Sequence, residues 1–534
     1  MSADVGTSYH SPWTSSPSCS PGVTGLGALL ITNLLTAVID SQNQLMGANL
    51  YPPDTTNILD SSTSLYEDVL PYFKKSQNFK PHERNTPGSE NYSDDNHGKG
   101  GYLPVEPFRY RSPIMEGLVE AVKECGYTFG DRNGPVQSGF TIQHGTVGGG
   151  TRANTAKAFL APIKGRKNFH VAKYAHVTKL LIDSETKAVT GVEFVKNGKL
   201  YTVHSSKEVI LSGGTINSAQ LLMLSGVGPR GHLKEMGINV IQDLKVGENL
   251  QDHMMALAPT FKFNLSNPVP VDNLKNLDDT YQFLIHRRGP LSSVDVLHLL
   301  GFISTKYAHL DVAGSAPEDT KDLDYPDIQY QFIRFAFQDK NATKIFSDSV
   351  GFTEDYYRAM FDTPNSESEI LIPLTVLQRP KSRGVIKLRS KDPKDPPVID
   401  PRYLSDPRDV QTLIEGIKQI VNIARAKALS RFEVEMSEVK VPGCEAETFG
   451  SDEYWSCAVR RVATTIYHPV GTCKMGPRSD PDAVVDSRLR VHGIKGLRVI
   501  DGSVMPTVVS GNTQASIIMI GERGADFIKD DWLS

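Results

Sequence analysis

The chain has 534 residues, 39% hydrophobic and 22% charged, with a net charge of −4. That balance suits a globular protein with room for more than one core. It offers neither the basic stripe of a nucleic-acid binder nor a block of like charge that would form a solvated tail. Five cysteines, Cys19, Cys125, Cys444, Cys457 and Cys473, are too few for a disulfide scaffold.

Residues 1–21 contain no Lys or Arg and precede an apolar stretch at 23–39. The stretch is short for a membrane span and reads as the apolar part of a secretory leader that lacks its basic start. Acceptor sequons at Asn91, Asn264 and Asn341 fit a secreted chain. Residues 78–100, rich in Asn, Ser, Gly and Asp, read as a surface loop. Residues 169–171 and 176–182 alternate as strands, and Asn197-Gly198 joins 191–195 to 200–204 as a hairpin. A short strand at 207–211 runs through Ser212-Gly213-Gly214 into a helix at 217–224, stopped by Gly226. The region 261–372 is mixed, and 384–390 reads as a strand. Val410, Leu413, Ile414, Ile417, Val421 and Ala424 mark an amphipathic helix with Pro407 near its start. Near the end, a strand at 497–500 leads into Asp501-Gly502-Ser503, and Asn512 precedes an apolar helix over 513–528. Asn512 in that position is also a candidate helix N-cap. Cys444 and Cys457 lie close enough to bridge in an oxidising compartment or to remain free thiols. Together with His468 and Cys473 they match no compact zinc spacing, so no metal site is expected.

Gly226-Val227-Gly228-Pro229-Arg230-Gly231 spells G-x-G-x-x-G, but its context is wrong for a dinucleotide. The fingerprint needs a strand before the glycines and a helix opening within them, so that the helix N-terminus faces phosphate. Here a helix precedes them, Pro229 interrupts the turn, and Gly226 reads as a helix C-cap. No G-x-S-x-G nucleophile elbow is present, which argues against a hydrolase. The stronger signal is Tyr467-His468-Pro469-Val470-Gly471-Thr472 followed by Ser510-Gly511-Asn512-Thr513. A His and an Asn at the two ends of such a unit can meet over one reacting atom, and an imidazole titrating near neutrality suits removal of a hydroxyl proton.

That layout resembles the glucose–methanol–choline (GMC) family of flavin oxidoreductases. The stretch 214–228 resembles the family's second signature, with Ala219 where Pro or Ser is usual. Residues 66–76, 155–160, Val246-Gly247-Glu248-Asn249-Leu250-Gln251-Asp252-His253, Pro380-Lys381-Ser382-Arg383-Gly384 and 483–522 also match, and the whole looks like the arthropod glucose dehydrogenase-like branch. The resemblance implies an α/β, mixed α+β fold in which a GMC-type FAD-binding domain is interleaved with a mixed-sheet substrate domain. It implies FAD as cofactor, an alcohol or sugar as substrate, hydride transfer to flavin N5, and an external electron acceptor such as a quinone or oxygen. His468 corresponds to the catalytic base and Asn512 to the residue that hydrogen-bonds the substrate oxygen. Thr513 and the helix behind it face the flavin, Asp501 and Gly502 lie near the ribityl and pyrophosphate, and the main chain of Val177 holds the adenine.

One part of the family pattern is missing. A βαβ unit with a glycine fingerprint should precede the segment at 66–76, yet Asp60-Ser61-Ser62-Thr63-Ser64-Leu65 runs into it directly. Such a unit takes roughly 30 residues, more than local variation can hide. The expected organisation is a leader at 1–41, a junction at 42–64 where the unit is absent, and a partial FAD domain at 65–258. The substrate-domain middle region follows at 259–372, the C-terminal family region at 373–523 and a tail at 524–534. Two functions follow: an FAD-dependent oxidoreductase of CH–OH groups, secreted and without a membrane span, or a flavin-free, inactive form of one.

Overall fold

A computed structural model describes residues 66–81, 94–134, 136–265, 273–308, 324–336, 339–361 and 368–533. The leader and the junction lie outside these residues, as do Cys19 and the Asn91 sequon.

In chain order, helix α1 (Tyr66–Lys75) is followed by strand β1 (Gly139–Ile142) and then by the meander β2 (His176–Ile182), β3 (Val189–Lys196) and β4 (Lys199–His204). The turn between β3 and β4 has φ of 51° at Asn197 and 74° at Gly198, the left-handed pair that Asn-Gly supplies at low cost. Strand β5 (Val209–Leu211) feeds helix α2 (Gly214–Leu224). Helix α2 ends where expected: the Gly226 N–H bonds the Met223 carbonyl and Gly226 has φ 86°. Strand β6 (Met254–Ala256) precedes the mixed middle region, out of which come β7 (Phe261–Phe263), β8 (Leu299–Ile303), β9 (Ile328–Ala336) and β10 (Glu369–Leu377). Helix α3 (Pro407–Ala424), strands β11 (Glu435–Met436), β12 (Ala463–Thr465) and β13 (Leu497–Val499), and helix α4 (Gln514–Leu533) complete the frame.

The largest sheet has eight strands, ordered β11-β7-β10-β9-β8-β1, with β6 pairing β10 and β12. Its neighbours are antiparallel, and β9 and β10 run in register from Ile328↔Leu377 to Ala336↔Glu369. All nine residues of β10 are buried. Helix α3 covers this sheet. Its N-cap is Asp406, whose side chain accepts from the Arg408 N–H. A Cβ on Gly416 would sit 2.8 Å from Thr375 Cγ2, so glycine lets the helix approach the sheet. The Asp409 carboxylate accepts from the Lys381 and Ser382 N–H groups at 2.8 and 2.9 Å, which fastens the 380–384 motif to the start of α3.

The second part is smaller. Among the described residues strand β5 pairs only with β13, in parallel, and β2-β3-β4 form a separate three-stranded sheet. All six residues of β4 are exposed. A second apolar cluster joins Leu211, Leu222, Val227, Val485, Leu497 and Val499. Arg498, almost fully buried, bonds Glu208 at 2.8 Å and also Asp531. That ion pair ties the proposed tail, which continues α4 as helix, back to β13.

Several expectations change in the structure. Residues 169–171, expected as a strand, are irregular and exposed, and no strand pairs with them among the described residues. The strand expected at 384–390 is confined to Val385–Lys387. The stretch 78–100 is not all surface loop: Gln77–Phe79 is a strand, and buried His97 stacks on Phe79 at 3.7 Å.

Candidate active site

His468 sits in a turn built by short-range strain and long-range clamps. Tyr467, just before it, adopts φ 65°, held by its N–H to Thr465 Oγ1 at 2.7 Å and its hydroxyl to the Ser349 carbonyl at 3.1 Å. The His468 N–H donates to Asp252 Oδ1 at 3.0 Å. Asp252 Oδ2 accepts from Thr465 Oγ1 at 2.6 Å and from the Tyr403 hydroxyl. Burial raises the Asp252 carboxyl to about 6 against the pull of these donors.

The motif at 246–253 explains why residues so distant in sequence meet. Gln251 and Val470 exchange main-chain hydrogen bonds at 3.0 and 2.8 Å. The Gln251 side chain donates to the Pro506 carbonyl at 2.9 Å and accepts from the Val508 N–H at 3.2 Å. One amide therefore joins the His468 turn to the loop that carries Asn512. Gly471, at φ 95°, is required here: a Cβ would lie 2.5 Å from the Asn249 carbonyl oxygen.

The chemistry converges on the His468 ring. His468 Nε2 lies 3.4 Å from Asn512 Nδ2, and His468 Nδ1 lies 3.0 Å from His253 Nδ1. The two imidazoles meet edge to face, with centroids 5.2 Å apart. Asn512 Oδ1 accepts from Gln329 Nε2 at 3.0 Å, and Gln329 Oε1 accepts from Gln378 Nε2 at 3.1 Å. All five side chains are buried. Burial, with His253 beside it, holds the His468 imidazole well below its ordinary range; burial takes His253 down to about 4. Burial thus favours the neutral form of both rings at physiological pH. The Asn512 amide spends both ends on this network, so it is not the N-cap of α4.

The other expected residues are spread more widely. Asp501 is buried, with each carboxylate oxygen occupied by the protein: Oδ2 accepts from the Gly214 N–H at 2.9 Å and Ser218 Oγ at 2.6 Å, while Oδ1 accepts from the Ser503 N–H at 2.8 Å and its hydroxyl. It fastens the end of β13 to the start of α2. Gly502 lies beside it, and its carbonyl accepts from the Gly471 N–H at 3.3 Å. Thr513 is buried at the start of α4 and its carbonyl accepts from Ile517. Val177 lies at the start of the meander, on the edge strand β2, whose other edge is unpaired among the described residues. His253, Gln329 and Gln378 were not singled out from sequence. His253 ends a family motif, and the buried Gln329 interrupts an apolar strand, a polar residue that such a strand carries only with partners.

An oxidoreductase of the mixed-sheet flavoprotein class is what this fold and this His–Asn pair define. The GMC oxidoreductase family model matches residues 60–255 and 380–521, and the chain belongs to that family, whose cofactor is FAD. The chain is 38% identical to glucose dehydrogenase [FAD, quinone] of Drosophila pseudoobscura pseudoobscura over 469 residues, covering 88% of this chain and 69% of the relative. It is 37% identical to alcohol dehydrogenase [acceptor] of Pseudomonas putida over 440 residues, covering 81% of this chain and 71% of the relative. A solved formate oxidase from Aspergillus oryzae RIB40, studied for its FAD modification, is similar in fold with a TM-score of 0.76 and 26% identity, covering 93% of this chain and 83% of that one.

The residues fit FAD at its two ends and not at its middle. Asn512 and the start of α4 lie beside His468, and Gln378 Oε1 is buried without a partner, as a site awaiting a ligand donor would be. The free edge of β2 offers main-chain groups at Val177. For the pyrophosphate, the strand, glycine turn and helix at 209–224 do not fit, because the Gly214 N–H that opens α2 is taken by the Asp501 carboxylate. The G-x-G-x-x-G at 226–231 closes α2, and its Pro229 leads into a helix of only six residues, Arg230–Glu235.

Proposed function

We propose that the His468 site oxidises the CH–OH group of a small alcohol or sugar, with His468 Nε2 taking the hydroxyl proton as hydride leaves the carbon. The observation that carries this reading is a buried, neutral imidazole whose Nε2 faces the Asn512 amide at 3.4 Å. FAD, when bound, supplies the hydride acceptor at N5. Asn512 Nδ2–H, beside the same nitrogen, orients the hydroxyl and stabilises the charge that grows on its oxygen. The unpaired Gln378 Oε1 gives a further acceptor, which suits a substrate with more than one hydroxyl. A quinone as final acceptor is supported by the name of the Drosophila relative. Secretion is supported by the disulfide between Cys444 and Cys457, a bond that persists in oxidising compartments.

In flavin-bound protein, His468→Ala should lower turnover by about two to four orders of magnitude, the usual reach of a general base. FAD content should be unchanged, because His468 is assigned to substrate. Near-normal turnover in this variant would remove His468 from the role. Peptide mapping of non-reduced secreted protein should recover the 444–457 bridge; two alkylatable thiols there would count against both the bridge and secretion.

A second reading is a flavin-free, inactive protein. It is favoured by the missing pyrophosphate cradle and by the exposed faces of the meander, where Leu200 is 61% and Val203 53% exposed. An absorbance scan of the purified chain separates the two.

A further inference from the structure

The three amides around His468 leave one question of direction open. Read alone, the chain Gln378–Gln329–Asn512–His468 can run either way. Each amide could be turned over, so that Asn512 accepted from a proton on His468 Nε2 instead of donating to a lone pair there. The two directions have opposite chemical consequences. One leaves His468 Nε2 able to take a substrate proton; the other blocks it with a proton already in place.

A main-chain carbonyl breaks the tie. His253 Nε2 lies 3.1 Å from the Gln378 carbonyl oxygen, which can only accept. His253 Nε2 therefore carries a proton. The ring is neutral, so its Nδ1 carries a lone pair, and that lone pair faces His468 Nδ1 at 3.0 Å. Exactly one proton can sit between two nitrogens at that distance, and it belongs to His468. His468 is then protonated at Nδ1 and bare at Nε2. Asn512 must turn its NH₂ to Nε2, and its oxygen must accept from Gln329, which accepts in turn from Gln378. The loop closes on the residue where it began.

We propose that Gln378 and His253 are positioning residues that set the proton map of the site. The Gln378 carbonyl acts through His253 on one side of the His468 ring, and the Gln378 amide acts through Gln329 and Asn512 on the other. Both arms leave Nε2 as the bare, basic nitrogen. Free imidazole has no such fixed choice, so the selection belongs to the fold. The charged and titratable groups packed around the pair do not compete for it. Asp252 is spent on the His468 main chain, Thr465 and Tyr403, Tyr467 points to Ser349, and Arg379 offers only donors.

The inference rests on His468 being the base, but its test does not use turnover. The full chain, labelled with ¹⁵N at its histidines, is examined by long-range ¹H–¹⁵N correlation, with His468 and His253 assigned from single variants. The expected spectrum has His468 protonated at Nδ1 and His253 at Nε2. In His253→Leu the Nδ1 form of His468 should cease to dominate. In His253→Gln it should return, because a Gln amide can donate to the Gln378 carbonyl and accept from His468 at once. A parent protein with the His468 proton on Nε2 overturns the proposal, as does a His253→Leu spectrum unchanged at His468. If His253→Leu does not fold, the parent spectrum still decides, and Gln329→Leu tests the other arm by the same shift. An Nδ1–H His468 whose alanine variant keeps full turnover would instead refute the base assignment and leave the proton map standing.

Discussion

The large-sheet half of the molecule, proposed as the substrate half, and the smaller half, proposed as the cofactor half, are built from the same kinds of element and end in different states. In the substrate half, β9 and β10 pair over nine register positions, α3 closes one face, and β10 is buried throughout. In the cofactor half, β5 and β13 pair over three positions, and β4 is exposed throughout. The first half can hold a polar network because Gln329 sits on β9, Gln378 just after β10 and His253 just before β6, and every member of the network is buried. The second half leans on a buried ion pair at Arg498 and on Asp501, which collects donors from α2 and from Ser503. A parallel strand pair normally lies inside a larger sheet covered on both faces, and β5–β13 lacks that setting among the described residues. The contrast teaches that the His468 network stands on the well-paired half, while the smaller half rests on fewer strand pairs.

The largest expected effect concerns the cofactor half itself. The purified chain should hold FAD far below one per chain, because among the described residues the Gly214 N–H that opens α2 is already bonded to Asp501 and the glycine turn at 226–231 leads into a helix of only six residues. Flavin absorbance near stoichiometric occupancy would erase the comparison and show that another element does this work. The next effect is on stability. Leu374→Ala, in the buried strand β10, should cost about 2–5 kcal/mol in chemical denaturation. Leu200→Ala, on the exposed face of β4, should change stability by no more than about 0.5 kcal/mol. Equal costs would mean that β4 is covered in solution. Hydrogen exchange sharpens the same contrast: amides of β10 should exchange only with global opening, and those of β4 well before.

The smallest effect is in pH. Between pH 6.5 and about 4 the unfolded chain protonates its imidazoles while the fold keeps His253 neutral. The unfolded state then binds more protons, so this term loses stability as pH falls through that window. His468, also lowered, acts in the same direction. Asp252, raised from 3.8 to about 6, acts in the opposite direction, since the fold holds its proton where the unfolded chain has lost it. Two imidazoles against one carboxylate should leave a net fall in stability on acidification from pH 6.5 to about 4. His253→Gln should flatten that slope, as read from denaturation midpoints across the range; an unchanged slope would show that His253 is not held neutral.

Local signals carried much of the frame. The Asn197-Gly198 turn, the glycine that stops α2, the apolar stripe of α3, and strand β13 followed by α4 are each written in fewer than about twenty consecutive residues, because backbone preference and periodicity act at that range. The family resemblance, read from motifs, also placed His468 and Asn512 in one site. Neither kind of signal could supply the residues that give that site its direction. His253 lies 215 positions from His468, and Gln329 lies 183 from Asn512. A buried Gln has no periodic mark that says which way its amide points. The middle region that carries Gln329 looked mixed because β8, β9 and β10, though consecutive and antiparallel, are joined by long connections and no short turn marks their pairing. Sequence therefore determined which side chain could take a proton. Only the tertiary structure, by setting one carbonyl oxygen against His253, decided which nitrogen of His468 is free to do so.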